Sequence, residues 1–319
     1  MKRLIIVFLS VASFTGCKKD VNIDKEISKI KIDLTVERFD QIFIESKSSD
    51  LPALKKTFPF LFSNKYPDSL WIEKMADTLE IQLANEVNRS FSNLEDTREE
   101  IKLLFQHLKF YFPEFKTPRV ITVTSNVDYR NKVIVTDSIV LIALDNYLGR
   151  DHEFYQSIPQ YIVNNFNKDQ ITPDLATEYG KKYAYQPERR TFLDEMIYSG
   201  KLLYFKDVVL PLKSDSEKIG YSNEQLNWAM TNEGEVWRYF IENEMLFDTN
   251  SELLSRFINP APFSKFYLNL DHESPGKIGQ YIGWQIVRAY MKNNNDSFTN
   301  MLIKGANEIY EKSKFKPRK

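Results

Sequence analysis

Apolar and polar positions along this chain change rhythm several times, and each change marks an element. Positions 29–39, KIKIDLTVERF, alternate Ile30, Ile32, Leu34 and Val36 with polar neighbours, the period of a half-buried strand. The spacing then becomes helical. DLPALKKTFPFLF (50–62) predicts a helical turn or two interrupted by Pro59, and residues 67–91 repeat apolar groups at Leu70, Ile72, Met75, Leu79, Leu83 and Val87. Residues 97–112 place Ile101, Leu104, Phe105, Leu108 and Phe112 on one face, with Asn93 or Asp96 as cap and Pro113 as stop. Over 119–148 the residues turn β-branched, which predicts strands near 119–124, 131–136 and 138–144, the last two joined by the short turn TDS. Beyond Leu148 helices dominate. Thr172 and Pro173 are the expected cap and first position of a helix over 172–183. A long amphipathic helix is expected over 187–205. A segment at 222–247 starts at a Ser222 cap and divides at Gly234, and a helix over 274–291 opens with Ser274 and Pro275. No repeat, low-complexity run or long linker divides the chain. The expected fold class is α+β, a small β-sheet with a predominantly helical remainder.

The first residues follow a different pattern. Lys2 and Arg3 precede an apolar run from Leu4 to Phe14, and Thr15 and Gly16 then lead into Cys17. Basic, apolar, small is the layout of a secretory signal peptide, and the run is too short to span a bilayer. A small residue directly before cysteine is the bacterial lipobox arrangement, although Phe14 stands where leucine is usual. The expected organisation is a signal peptide at 1–16, a lipid-anchored tether at 17–28 and a single domain at 29–319, with Cys17 carrying the lipid.

Composition fits that address. Cys17 is the only cysteine, so no intrachain disulfide is available and the fold must rest on its core. Aromatics make up 14% of the chain, ample material for one. Without Lys2 and Arg3 there are 41 basic against 44 acidic side chains, interspersed, which gives no footprint for nucleic acid.

Reaction chemistry is sparse. His107, His152 and His272 are the only histidines. His152-Glu153 and His272-Glu273 begin a helical zinc motif, but Gln156 and Gly276 stand where its second histidine belongs. No nucleophile elbow, P-loop or dinucleotide loop occurs, and no cofactor is implied. Carboxylate pairs such as Asp194-Glu195 and Glu233 with Glu235, together with Asp145, could in principle run a hydrolysis, yet 44 acids guarantee pairs by chance. Gly279 and Gly283 form G-x-x-x-G, but Lys277, Gln280, Gln285 and Arg288 exclude a lipid-buried helix. The two glycines are expected to admit a closely packed neighbour, with Ile278, Ile282, Ile286 and Tyr290 in the core. Trp228 and Trp237 are likewise expected to be core.

Several longer stretches carry a resemblance. ERRTFLDEMIYSGKLLYFKDVVLP, IGYSNEQLNWAMTNEGEVWRYFIENEMLF, SPGKIGQYIGWQIVRAYM and SKFKP, with VERFDQIFI and IALDNYLGRD before them, resemble the GldB family of gliding-motility lipoproteins of Bacteroidetes from about Val36 to Pro317. The resemblance implies a cell-envelope lipoprotein needed for gliding and linked to the type IX secretion machinery, and it implies no reaction. The lipid places it at a membrane, most naturally the outer membrane, and its partners would be other gliding or secretion envelope proteins. At the level of fold, the strands, IALDNYL and GKIGQYIGWQIVRAY also resemble zincin-like metallopeptidases. There Ser199 stands before Gly200 where that pattern has a ligand glutamate, which implies a degenerate scaffold without its metal site. Two functions follow: a non-catalytic binding or assembly component, and an envelope hydrolase using carboxylates or a non-standard metal. Aromatic, glycine and paired-charge motifs concentrate in 187–291. Glu188, Asp194, Glu195, Lys201, Asn232 and Glu233 are therefore the expected partner-binding surface.

Overall fold

The structure, a computed structural model, describes residues 23–268 and 271–318; Cys17 and the expected signal peptide lie outside the described residues. The described chain opens with helix α1 (Ile23–Ser28) and strand β1 (Val36–Arg38). Helices α2 (Phe39–Glu45), α3 (Leu51–Thr57), α4 (Asp68–Ala76), α5 (Thr78–Ser90) and α6 (Glu95–Tyr111) come next. Strands β2 (Arg119–Val123), β3 (Val133–Val135) and β4 (Ile139–Ala143) follow. The rest is helical: α7 (Gln160–Val163), α8 (Ile171–Tyr183), α9 (Phe192–Val209), α10 (Asp215–Ile219), α11 (Asn223–Thr231) and α12 (Glu233–Glu242), then α13 (Glu252–Phe257), α14 (Ile278–Asn293), α15 (Phe298–Ile303) and α16 (Ala306–Ser313). This is an α+β protein with a small sheet, as the pattern predicts.

The sheet runs β1-β2-β4-β3. β1, β2 and β4 are parallel, with Val36 opposite Val120 and Val120 opposite Val140; β3 closes one edge antiparallel to β4. Alternation along β2 decides the layering. Val120, with Val140 and Ile142 of β4, faces the main core under α6, α8 and α9. Ile121 and Val123 face a smaller aromatic cluster of Phe39, Phe58 and Phe62 from α2 to α4. Both faces are therefore covered, the usual condition of a parallel sheet.

Several boundaries differ from the pattern. Within 29–39 only Val36–Arg38 enters the ladder; upstream the Ile30 carbonyl accepts from Gln106 of α6, and Leu34 joins the helical core. Ile23–Ser28, expected within the tether, is a helix with Ile27 buried. The apolar spacing of 67–91 continues across a break at Asp77, whose backbone is extended and whose carboxylate accepts from the N–H groups of Leu79 and Glu80. Thr172 is no cap: it lies buried inside α8 and its hydroxyl donates to Glu100. Ser274 bonds the carbonyls of Ser264 and Asp271, and α14 starts four residues later at Ile278, after a left-handed Lys277. The 222–247 segment divides into two helices, but at Asn232 and not at Gly234, which lies inside α12.

The core is organised by α9. None of its residues is exposed, its charged side chains included, which makes it a central helix rather than an amphipathic surface one. Its closest neighbour is α14, and glycine sets the crossing. A Cβ on Gly283 would fall 1.8 Å from the Met196 carbonyl oxygen, and one on Gly200 would fall 2.3 Å from the Gly283 oxygen. The pair lets two backbones touch, as the G-x-x-x-G pattern predicts, while Ile278, Ile282, Ile286 and Tyr290 are buried beside it. Ser199, next to Gly200, is buried in the same crossing region.

Polar groups lock the other end of these helices. Arg288 of α14 lies 3.7 Å over the Trp284 ring and bonds both oxygens of Asp207 and of Asp215, while Lys218 pairs with Asp207 at 3.0 Å. Successive carbonyls ending α10 are taken up by side chains: Glu217 by Gln170, Lys218 by Lys206, Ile219 by Lys277 and Gly220 by Asn165. Helix-terminal carbonyls have no intrahelical partner, and this explains why two lysines are drawn inward there. Burial lowers the Lys206 ammonium to about 7.

Candidate functional site

The expected binding residues do not form one surface. Glu188, Asp194 and Glu195 surround the start of α9. Glu188 is exposed, 3.9 Å from Arg190. Asp194 is the third residue of a capping box: its carboxylate accepts from Thr191 N and Oγ1, and Thr191 Oγ1 accepts from Asp194 N. Glu195 pairs with Arg189 at 3.5 Å; burial pushes its carboxyl up against the pull of that guanidinium. Lys201 contradicts a surface role. It is 0% exposed within α9, donates to the Lys304 carbonyl, and is lowered by burial to about 8. Glu233 is also interior. It accepts from the Tyr281 hydroxyl and from the Arg318 backbone N–H, and so fastens the tail after α16 onto α12. Asn232 spends its amide on the Trp228 carbonyl at the α11–α12 junction. Lys201 and Glu233 read as outward because their partners Lys304, Tyr281 and Arg318 lie far along the chain. Asp194→Ala is expected to remove the reciprocal half of the capping box while Thr191 stays as cap, and to lower stability by about 1 kcal/mol. Thermal unfolding of the purified body checks this, and colony spreading should fall only as far as folded protein does.

A different region gathers the features of a binding site. At the carboxyl ends of the parallel strands the chain leaves the sheet through Phe39–Asp40 after β1, Thr124–Val127 after β2 and Leu144–Asn146 after β4. Open parallel sheets leave crevices at this edge. Here a recess of 240 Å³ is lined by Phe43, Phe62, Trp71, Val123 and Ser125. It adjoins a wider groove of 650 Å³ lined by Leu70, Leu79, Leu83, Tyr129, Phe154 and Ile158. Lys74, Glu80 and Asn126 belong to both walls. They hold one another: Lys74 lies 3.4 Å from Glu80, and the Asn126 amide donates to the same oxygen at 3.1 Å. The Asp77 break between α4 and α5 presents Leu79 to the groove at 71% exposure.

The floor is strained. Asn126 and Val127 have φ of 56° and 57°. A β-branched residue rarely adopts that left-handed conformation, and such strain persists only where surroundings enforce it. Asp145 enforces it. Its Oδ2 accepts from the N–H groups of Ser125 at 3.0 Å and Val127 at 2.7 Å, and Asn146 donates to Ser125 Oγ at 3.1 Å. Asp145 is 0% exposed; burial raises its carboxyl, opposed by those same N–H groups. On the other flank Arg38 forks onto Asp40, which also accepts from Thr122, and reaches the Phe91 carbonyl and Asn88.

Asp40, Glu80 and Asp145 are thus each engaged by neighbours. What the site offers a ligand is apolar area, an acidic rim at Glu73, Asp77 and Glu80, and the buried Trp71 indole N–H, which has no acceptor among the described residues. Among the described residues no group of three or more His, Cys, Asp or Glu is placed to share a metal ion. Sequence pattern reads SNVDYRNK (125–132) as an ordinary turn. The one available signal was Asp145 within IALDNYLGRD, a buried-looking acid directly after a strand.

A family model described as gliding motility protein GldB matches residues 20–317. No curated protein and no solved structure matches the chain.

Proposed function

The chain belongs to the family of gliding motility protein GldB, and on that premise we propose that it is a lipid-anchored envelope component that works by binding rather than by catalysis. The observation that carries this reading is the groove at the carboxyl edge of the sheet. Its apolar walls and its acidic rim of Glu73, Asp77 and Glu80 against a single Lys74 suit a segment with apolar and basic side chains. That segment would come from another protein of the gliding or type IX secretion apparatus. Its carboxylates Asp40, Glu80 and Asp145 hold the protein's own backbone and side chains, the work of a shaped receptor rather than of a free acid and base. The anchor is the lipid on Cys17, with the outer membrane as the proposed address; no helix among the described residues is long and apolar enough to cross a membrane.

Two measurements test this. In cells, Cys17→Ser is expected to move the protein out of the membrane fraction and to stop spreading; a variant still fractionating with membranes would refute the anchor. The purified body from Lys18 onward is expected to retain no stoichiometric zinc after dialysis and to cleave no peptide. Hydrolysis abolished by a chelator would overturn the binding reading.

A further inference from the structure

The route of the chain from its anchor to the sheet has a direction. Helix α1 packs on α6, and the Ile30 carbonyl accepts from Gln106 at 2.8 Å. The Ile30–Gln106 bond places the end of this entry segment beside the second half of α6. From there the chain runs back along α6 to Arg38, whose guanidinium reaches the Phe91 carbonyl, just before α6 begins at Glu95. Helix α6 therefore spans the molecule between two ends. One holds the entry of the chain and the amino end of β2; the other holds Asp40 and the groove.

From this geometry we infer that the lipid holds the protein by the amino end of its parallel sheet, so that the groove faces away from the bilayer. The lengths support it. Five residues lie between Cys17 and Ile23, and the six steps reach about 20 Å when fully extended. The 17 residues of α6 span about 25 Å. Laying the groove on the membrane would lift Ile23 beyond the reach of its tether. The bilayer is thus excluded as the occupant of the groove, and a partner approaches it from the aqueous side. The inference rests on the Cys17 anchor proposed above.

Cys17 is the only cysteine and the lipid consumes its thiol, so one introduced cysteine gives a unique label. The full lipidated chain would carry a fluorophore at Lys29→Cys, beside α1, or at Leu79→Cys, on the groove rim; both positions are exposed. It would be reconstituted into phosphatidylethanolamine–phosphatidylglycerol vesicles containing a headgroup-spin-labelled phospholipid. Quenching at position 29 is expected to exceed that at 79 several-fold. Equal or stronger quenching at 79 overturns the orientation while leaving the anchor intact. Failure of the protein to float with the vesicles refutes the anchor and the orientation with it. Neither outcome depends on whether the groove binds a partner, which colony spreading measures separately.

Discussion

Gly283→Ala is expected to cost upward of about 3 kcal/mol and to leave little folded protein in the cell. The added methyl would meet the Met196 carbonyl oxygen at 1.8 Å and its carbon at 2.4 Å. These are backbone atoms in the middle of α9, so no side-chain rotation relieves the clash. The two helices must move apart, and the buried contacts of Ile282, Ile286 and Met196 loosen with them. Gly180→Ala supplies the contrast. It lies inside α8, where its nearest neighbour is the Leu202 side-chain tip at 3.1 Å. Alanine favours helix by about 1 kcal/mol there, so the variant should stay within about 1 kcal/mol of the parent. Urea unfolding of both proteins checks the pair. A Gly283→Ala protein as stable as Gly180→Ala would mean that α9 and α14 do not cross in contact.

Arg288→Met is expected to lose about 2–4 kcal/mol. It removes four bonds to Asp207 and Asp215 and the stack on Trp284, and leaves Lys218 as the remaining cation for Asp207. Partial exposure of Arg288 and Asp215, at 28% and 40%, sets the lower bound. The loss has a pH signature. Hydrogen bonding to Arg288 holds the Asp215 carboxyl below its ordinary 3.8. A depressed acid stabilises the folded state above its unfolded value, and that contribution fades as pH falls through the folded one. Parent and variant should therefore differ fully at neutral pH, and the gap should narrow as pH falls below about 4. Parallel melting curves across that range would assign the effect to packing on Trp284 alone. In a double-mutant cycle, adding Asp207→Asn to Arg288→Met should cost less than it does in the parent.

Legibility in the sequence divides along physical lines. Periodic, local features were readable: the strands near 119–144, the helix at 95–111 and the packing role of Gly283 all follow from spacing or residue size. Features set by distant partners were not. Lys201 reads as solvent-facing until the Lys304 carbonyl, 103 residues on, is brought beside it. Glu233 likewise depends on Tyr281 and Arg318. The apolar repeat of 67–91 is continuous, so only the extended backbone at Asp77 reveals two helices. The groove was hidden for the same reason. Its walls come from Asp40, Trp71 to Glu80, Ser125 to Val127 and Phe154 to Ile158, segments joined only by the carboxyl edge of the sheet. Sequence pattern marks 125–132 as a turn, but the left-handed Val127 is imposed by Asp145 and is contrary to the residue's own preference.

The central claim is that the groove, and not the α9 start or α11–α12 junction, makes the contact on which gliding depends. Leu79→Lys tests it most directly, because it removes exposed apolar area from the groove rim and opposes a basic occupant. Leu79 is 71% exposed, so the exchange should alter stability by no more than about 1 kcal/mol, including the unfavourable charge at the start of α5. Leu212→Lys, at a leucine 83% exposed and outside the groove lining, is the matched control. With both proteins verified as folded and membrane-bound, colony spreading is expected to fail for Leu79→Lys and to persist for Leu212→Lys. Normal spreading by Leu79→Lys would contradict the account.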